Sequence, residues 1–145
     1  MPSKREQVLS RLLTKLKTIE SATIKVYRNM DKPQAMPNGG MIMMRDGDSP
    51  EPEVLLSPLT YIYEHYATLE VLVQDPVPAA RDSKIDALLV SIGTVLAANR
   101  TLDGLAEWVE PAAPGMLEDP MEGAPTVRAA SVRVMVRYAT TNPLN

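Results

Sequence analysis

The run from Leu59 to Gln74 limits what this chain can fold into more than any other feature. Its odd positions, Leu59, Tyr61, Tyr63, Ala67, Leu69, Val71 and Val73, are apolar, with His65 the exception. Thr60, Glu64, Thr68, Glu70 and Gln74 make the even side mostly polar, interrupted by Ile62, Tyr66 and Leu72. A period of two marks a half-buried strand, and here it far outlasts the usual length of about five or six residues. Fully extended, such a strand reaches roughly 50 Å at about 3.3 Å per residue. A globule of this chain length has a radius of gyration of about 15 Å. The strand therefore bends at a bulge or runs past its own domain, and in the second case unpaired backbone needs a partner. The chain reads first as an assembly protein.

At 145 residues it fits a single domain, 1–145, that buries about two-thirds of its unfolded surface. Its hydrophobic content of 45% is ordinary for a soluble fold. No apolar run approaches the ~18 residues of a membrane span. Met1-Pro2-Ser3-Lys4-Arg5 leads into an amphipathic helix and not a signal segment, so no membrane association is expected. The lack of cysteine excludes disulfides, thiolate metal sites and a cysteine nucleophile, and points to the cytosol.

Thirteen prolines fall outside the clearly periodic stretches and mark element edges, because proline continues neither a helix interior nor a central strand. Ser3 and Glu6 form a capping box, and Val8, Leu9, Leu12, Leu13 and Leu16 follow at helical spacing, predicting a helix from Ser3 to Thr18. Thr23–Asn29 is a short alternating strand, and Met30–Gly39 a loop. Gly40–Asp46 is a methionine-rich strand, and Asp48–Pro58 a second loop before the long strand. Ile85, Leu88, Leu89, Ile92, Val95 and Leu96 share one face of a helix over Ala79–Ala98. Leu105–Val109 is a short strand, Glu110–Pro125 a loop too proline-rich to join the sheet, and Val132, Val134, Val136 and Tyr138 define a last strand. The expected fold is α+β, in the order α-β-β-β-α-β-β. An antiparallel sheet of about five strands carries both helices on one face.

Little here points to catalysis. His65 is the single histidine, and its place on the core side of the long strand favours a hydrogen-bonded structural role over a general base. Ser57 and Ser91 have no recognisable base pattern, and no Gly-x-Ser-x-Gly elbow exists. Asp46-Gly47-Asp48 superficially resembles a calcium loop, but Pro50 occupies a ligand position and the glycine is misplaced, so a hairpin connection is the better reading. Gly39-Gly40 lacks the rest of a phosphate loop. No enzyme activity, cofactor or metal is expected.

Contacts with partners are better supported. Ile62 and Tyr66 place large apolar groups on a polar sheet face, where such groups mark contacts. Strict alternation cannot put both Met43 and Met44 inside, and Met44 is assigned to the partner-facing set. The net charge of -3 is unevenly spread: Thr101–Pro125 holds acids and no Lys or Arg, and the following segment holds Arg128, Arg133 and Arg137 and no acid. One reading is a solvated loop beside a solvated strand face; the other has Arg133 and Arg137 meet Glu118, Asp119 and Glu122 across copies of the chain, fixing their orientation. Glu110–Pro125 itself is either a disordered loop or a docking arm that orders on contact.

Six segments occur together in a defined order: Val26-Tyr27-Arg28-Asn29, Arg45-Asp46-Gly47-Asp48, Tyr61-Ile62-Tyr63-Glu64-His65, Ala79-Ala80-Arg81-Asp82, Trp108-Val109-Glu110-Pro111 and Arg137-Tyr138-Ala139-Thr140. Over nearly the whole chain they resemble the tail terminator proteins of long-tailed, non-contractile bacteriophages and prophages. The resemblance implies a structural virion protein, without catalytic residues, that self-associates into a ring, typically a hexamer. Such a ring caps the head-proximal end of the tail tube and ends polymerisation of the tube protein. It then meets the head-tail connector or head-completion proteins, while phage DNA passes through without specific binding. Assembly would take place in the cytoplasm of the bacterial host. The alternatives are another neck or connector protein of the same particle, and a small-ligand-binding or acyl-transfer enzyme built around His65 and the Asp46 cluster.

Overall fold

The computed structural model describes residues 1–30, 36–117 and 126–145. Helix α1 spans Lys4–Lys17, and Ser3 caps it, its Oγ accepting from the Glu6 N–H at 3.1 Å. Strands β1 (Ile24–Arg28), β2 (Gly40–Arg45), β3 (Glu53–Leu56) and β4 (Leu59–Gln74) follow. Helix α2 spans Pro78–Ala98, with proline in its first turn, where no amide donor is required. Strands β5 (Trp108–Pro111), β6 (Gly115–Leu117) and β7 (Val127–Thr140) complete the order.

The sheet is mixed and runs β1-β2-β4-β7-β5, with β3 paired to β4 and β6 to β7. Its backbone is the antiparallel pair β4–β7, continuous from Tyr61↔Thr140 to Gln74↔Val127. Odd positions of β4 (Tyr63, Ala67, Leu69, Val71, Val73) and even positions of β7 (Val132, Val134, Val136, Tyr138) point to one side. There they form a single core with Val8, Leu9, Leu12 and Leu16 of α1 and Ile85, Leu88, Ile92 and Leu96 of α2. Both helices thus cover the same face, as alternation and helical spacing predict.

Several expectations need correction. The sheet has seven strands, not about five, and β1 and β2 run parallel. The observed order is α-β-β-β-β-α-β-β-β. The segment read as a loop before the long strand contains β3, and Gly115–Leu117 joins the sheet despite its proline neighbours. Pro111 and Pro114 are tolerated because β5 and β6 lie on the sheet edge, where a missing donor breaks no inner ladder. The short strand after α2 begins at Trp108, since residues 101–107 are turns and bends. The backbone of the long strand is not left unpaired, because the equally extended β7 accompanies it.

Met43 and Met44 are both buried, and Met44 is fully enclosed on the helix side, so it is not a partner-facing residue. Alternation does hold along β2, and Met41 and Met43 do point away from the helices. They lose their exposure because β2 is an inner strand at that point, flanked in register by Lys25 and Tyr27 on β1 and by Glu70 and Leu72 on β4.

Candidate interaction surface

Strand β4 is longer than the body beneath it. From Arg45↔Thr68 to Met41↔Leu72 it pairs with β2, but its first residues pair with β3 instead, from Glu53↔Ile62 to Leu56↔Leu59. The two strands are joined by the Ser57-Pro58 turn, which contains a cis peptide bond. All four residues of β3 are exposed. The result is a hairpin arm beyond the helix-covered sheet, with Val54, Leu55, Leu56 and Leu59 in solvent and Leu56 79% exposed. Register places Val54, Leu56, Leu59 and Tyr61 on the side that the core residues share, and Glu53, Leu55, Thr60 and Ile62 on the other. The arm therefore prolongs the apolar face of the sheet past its covering layer.

The base of the arm is held by charge. Arg137 of β7 donates to Glu107 and Glu64, each at 2.9 Å, and lies 3.8 Å from Glu53 at the start of β3. Those carboxylates push its pKa up, Glu107 foremost. Arg137 is thus engaged inside its own chain. Arg133 is different: its guanidinium lies 4.3 Å over the exposed ring of Tyr66 and forms no ion pair among the described residues. Ile62, Tyr66, Arg133 and Arg137 all occupy the sheet face opposite the helices, as expected. Ile62 is partly buried at the arm's base. Glu118, Asp119 and Glu122, and with them most of the expected docking arm, lie outside the described residues.

The loop leading toward the arm is fastened by two sets of contacts. The guanidinium of Arg28 grips Asp46 through Nε and Nη2, both at 2.8 Å, and Glu6 through Nη1 and Nη2, both at 2.9 Å. This double fork ties the end of β1 to α1 and to the end of β2. It holds the Asp46 and Glu6 carboxyls below their ordinary pKa values and raises that of Arg28. The Asp46 carboxylate, part of the superficial calcium motif, is thereby committed to an arginine. Gly47 has φ +71°, and a Cβ there would collide with the Tyr66 carbonyl oxygen, so only glycine fits.

His65 is fully buried, with one ring nitrogen, Nε2, on the Asp46 carbonyl and Nδ1 3.2 Å from the Ser49 Oγ. Since a carbonyl only accepts, Nε2 carries the proton and Nδ1 accepts from the serine. Burial lowers the His65 pKa and keeps the ring neutral. The pair superficially resembles a serine and its base. Its geometry instead pins the 46–49 segment onto β4, with both ring nitrogens occupied by the loop, which is the structural role expected of His65.

Sequence reasoning missed the arm. Its signal was available in Val54-Leu55-Leu56 followed by Ser57-Pro58 and Leu59, a short apolar run with a turn before another apolar residue. A second missed feature is the outer face of α2, where no charged residue occurs between Asp86 and Arg100. Val90 is 60% exposed there. No helix of the described residues is long and apolar enough to cross a membrane. No protein-family model matches the chain, and a search of curated proteins finds no match either.

Proposed function

We propose that this protein is a structural assembly protein of a long-tailed phage or prophage virion, a tail terminator. In this reading copies of the chain close into a ring, a hexamer, on the head-proximal end of the tail tube. The ring ends growth of the tube and offers its outer surface to head-completion proteins, and DNA passes through its centre. It has no catalytic role. The observation that carries the reading is the apolar arm. Four exposed aliphatic side chains, Val54, Leu55, Leu56 and Leu59, are gathered on one hairpin, and exposed apolar surface of that kind marks contacts. Family resemblance along the sequence supplies the particular particle and the place in it.

The test is a deletion of the gene in its phage, followed by electron microscopy of the lysate. Heads and tubes that fail to join, with tubes of abnormal length, are expected. Tails of normal length attached to heads would overturn the assignment. A purified protein seen as rings with an open centre would support self-assembly independently of the phage.

A further inference from the structure

The arm exposes an apolar surface that lies on the helix side of the sheet but has no helix over it. Val54, Leu56 and Leu59 continue, beyond the partly buried Tyr61, the face that α2 covers elsewhere on β4 and β7. Whatever covers the arm must supply an apolar layer, preferably a helix with room for leucine side chains.

One such surface exists on this chain. A surface helix ordinarily turns charged residues to solvent, but the exposed positions of α2 after Asp86 are Ala87, Val90, Thr94, Ala97 and Ala98. The hydroxyls on this stretch add little polarity. Ser91 Oγ donates to the Ala87 carbonyl and Thr94 Oγ1 to the Val90 carbonyl, both at 2.9 Å. Gly93 lies beside them, and a Cβ built on it would meet nothing within 4 Å, so the helix surface has an opening there. The sheet face away from the helices is a poorer receptor, because Glu64, Glu70, Arg45 and Arg133 interrupt it with charge.

We infer that the arm of one copy packs against the outer face of α2 of the next copy, with Leu56 and Leu59 seated around Val90 and Gly93. The inference rests on the self-association reading above and names its contact. Two different surfaces meet, so the contact is head-to-tail and each copy uses one arm and one α2. Repetition of such a contact closes a ring when the rotation permits. The second copy is favoured as occupant by continuity. Its α2 would extend over the arm the same helix layer that already covers the rest of β4, apolar against apolar.

The natural absence of cysteine makes the test direct. Leu56→Cys and Val90→Cys are prepared separately, shown to melt like the parent protein, and treated with a short bismaleimide singly and mixed, at the highest concentration the protein reaches. A cross-linked dimer in the mixture and in neither single variant is expected. A dimer from Leu56→Cys alone would mean arm-to-arm exchange, and one from Val90→Cys alone would mean helix-to-helix packing; either overturns the inference. So does a mixture that stays uncross-linked. If sedimentation then still shows an oligomer, self-association stands and only its contact is wrong. If it shows monomer alone, both readings fall.

Gly93→Gln gives an independent readout. Glutamine is a better helix former than glycine, so the variant should melt higher than the parent while its self-association falls at least tenfold. Unchanged self-association in that variant would overturn the placement of the contact at Gly93.

Discussion

Two tyrosines three positions apart on β4 illustrate how much depends on which side of the sheet a residue takes. Tyr63 is buried and stacked on Tyr138, ring centroids 5.5 Å apart and planes 24° from parallel. Tyr66 lies on the opposite face under Arg133. Tyr63→Asp should cost ~3–5 kcal/mol, the scale of a disrupted aromatic core site with an uncompensated buried charge. Tyr66→Asp should cost about 1–2 kcal/mol, from a surface change and a lost cation–π contact. Thermal melting of the two variants checks this, and equal losses would contradict the face assignment. His65 yields a second expectation. Its folded pKa is lowered by burial from an ordinary value of about 6.5. Its contribution is therefore complete above pH ~6.5 and is lost as pH falls toward the folded pKa, because the unfolded chain takes up the proton first. As the single histidine, it should account for the decline in melting temperature between pH 7.5 and 5.5, and His65→Gln should flatten that stretch of the profile. The carboxylates held low by arginine or lysine, Asp46, Glu6 and Asp103 (at about 2), lose their contributions only in the more acidic range below pH ~4.

At the scale of elements, the two outer strands on the β2 side of the sheet are finished differently. The free edge of β1 is occupied by its own chain: the Val26 N–H donates to Glu20 Oε2 at 3.0 Å, and the Ile24 carbonyl accepts from the Ser21 N–H at 3.1 Å. Such use of edge groups discourages pairing with another chain. Strand β3 pairs with β4 alone and is exposed throughout, so the arm is the side left available. Replacing Val54, Leu56 and Leu59 together with threonine should change stability by about 1 kcal/mol or less, since none of them is buried. It should abolish oligomers in sedimentation; retained oligomers would remove the arm from the interface. The long elements were legible because their periodicity persists over many residues, as in α1, α2 and β4. Strands β3 and β6 are too short to establish a period, and prolines around them suggest loops. Strand direction leaves no trace in alternation, which is why the parallel β1–β2 pair was unforeseen. Of the expected contact residues, Tyr66 and Arg133 were found on a shared face because alternation places them there. Met44 failed because burial depends on both neighbouring strands, which no single-strand pattern contains.

At the scale of the whole molecule, charge decides how the ring proposed above would treat DNA. Its net charge is -3, and the arginines of β7 are individually occupied. Arg128 is 3.3 Å from Asp82, Arg137 is surrounded by Glu107, Glu64 and Glu53, and Arg133 lies on Tyr66. A protein that grips phosphates presents a dense basic track whose counterions are released on binding, giving an affinity that falls steeply with salt. The arginines of β7 are already neutralised or stacked within the fold, so this strand could engage few phosphates without breaking internal contacts. Binding to random duplex in 150 mM salt should therefore be weaker than the tight end of the ordinary non-specific range, ~10⁻⁶ M, with a shallow dependence on salt. Fluorescence anisotropy with a labelled duplex across a salt series measures both quantities. Micromolar affinity with a steep slope would mean that the ion pairs of β7 open to admit phosphate. For the ring proposed above, it would mean a lumen that holds its cargo, a property at odds with rapid transit.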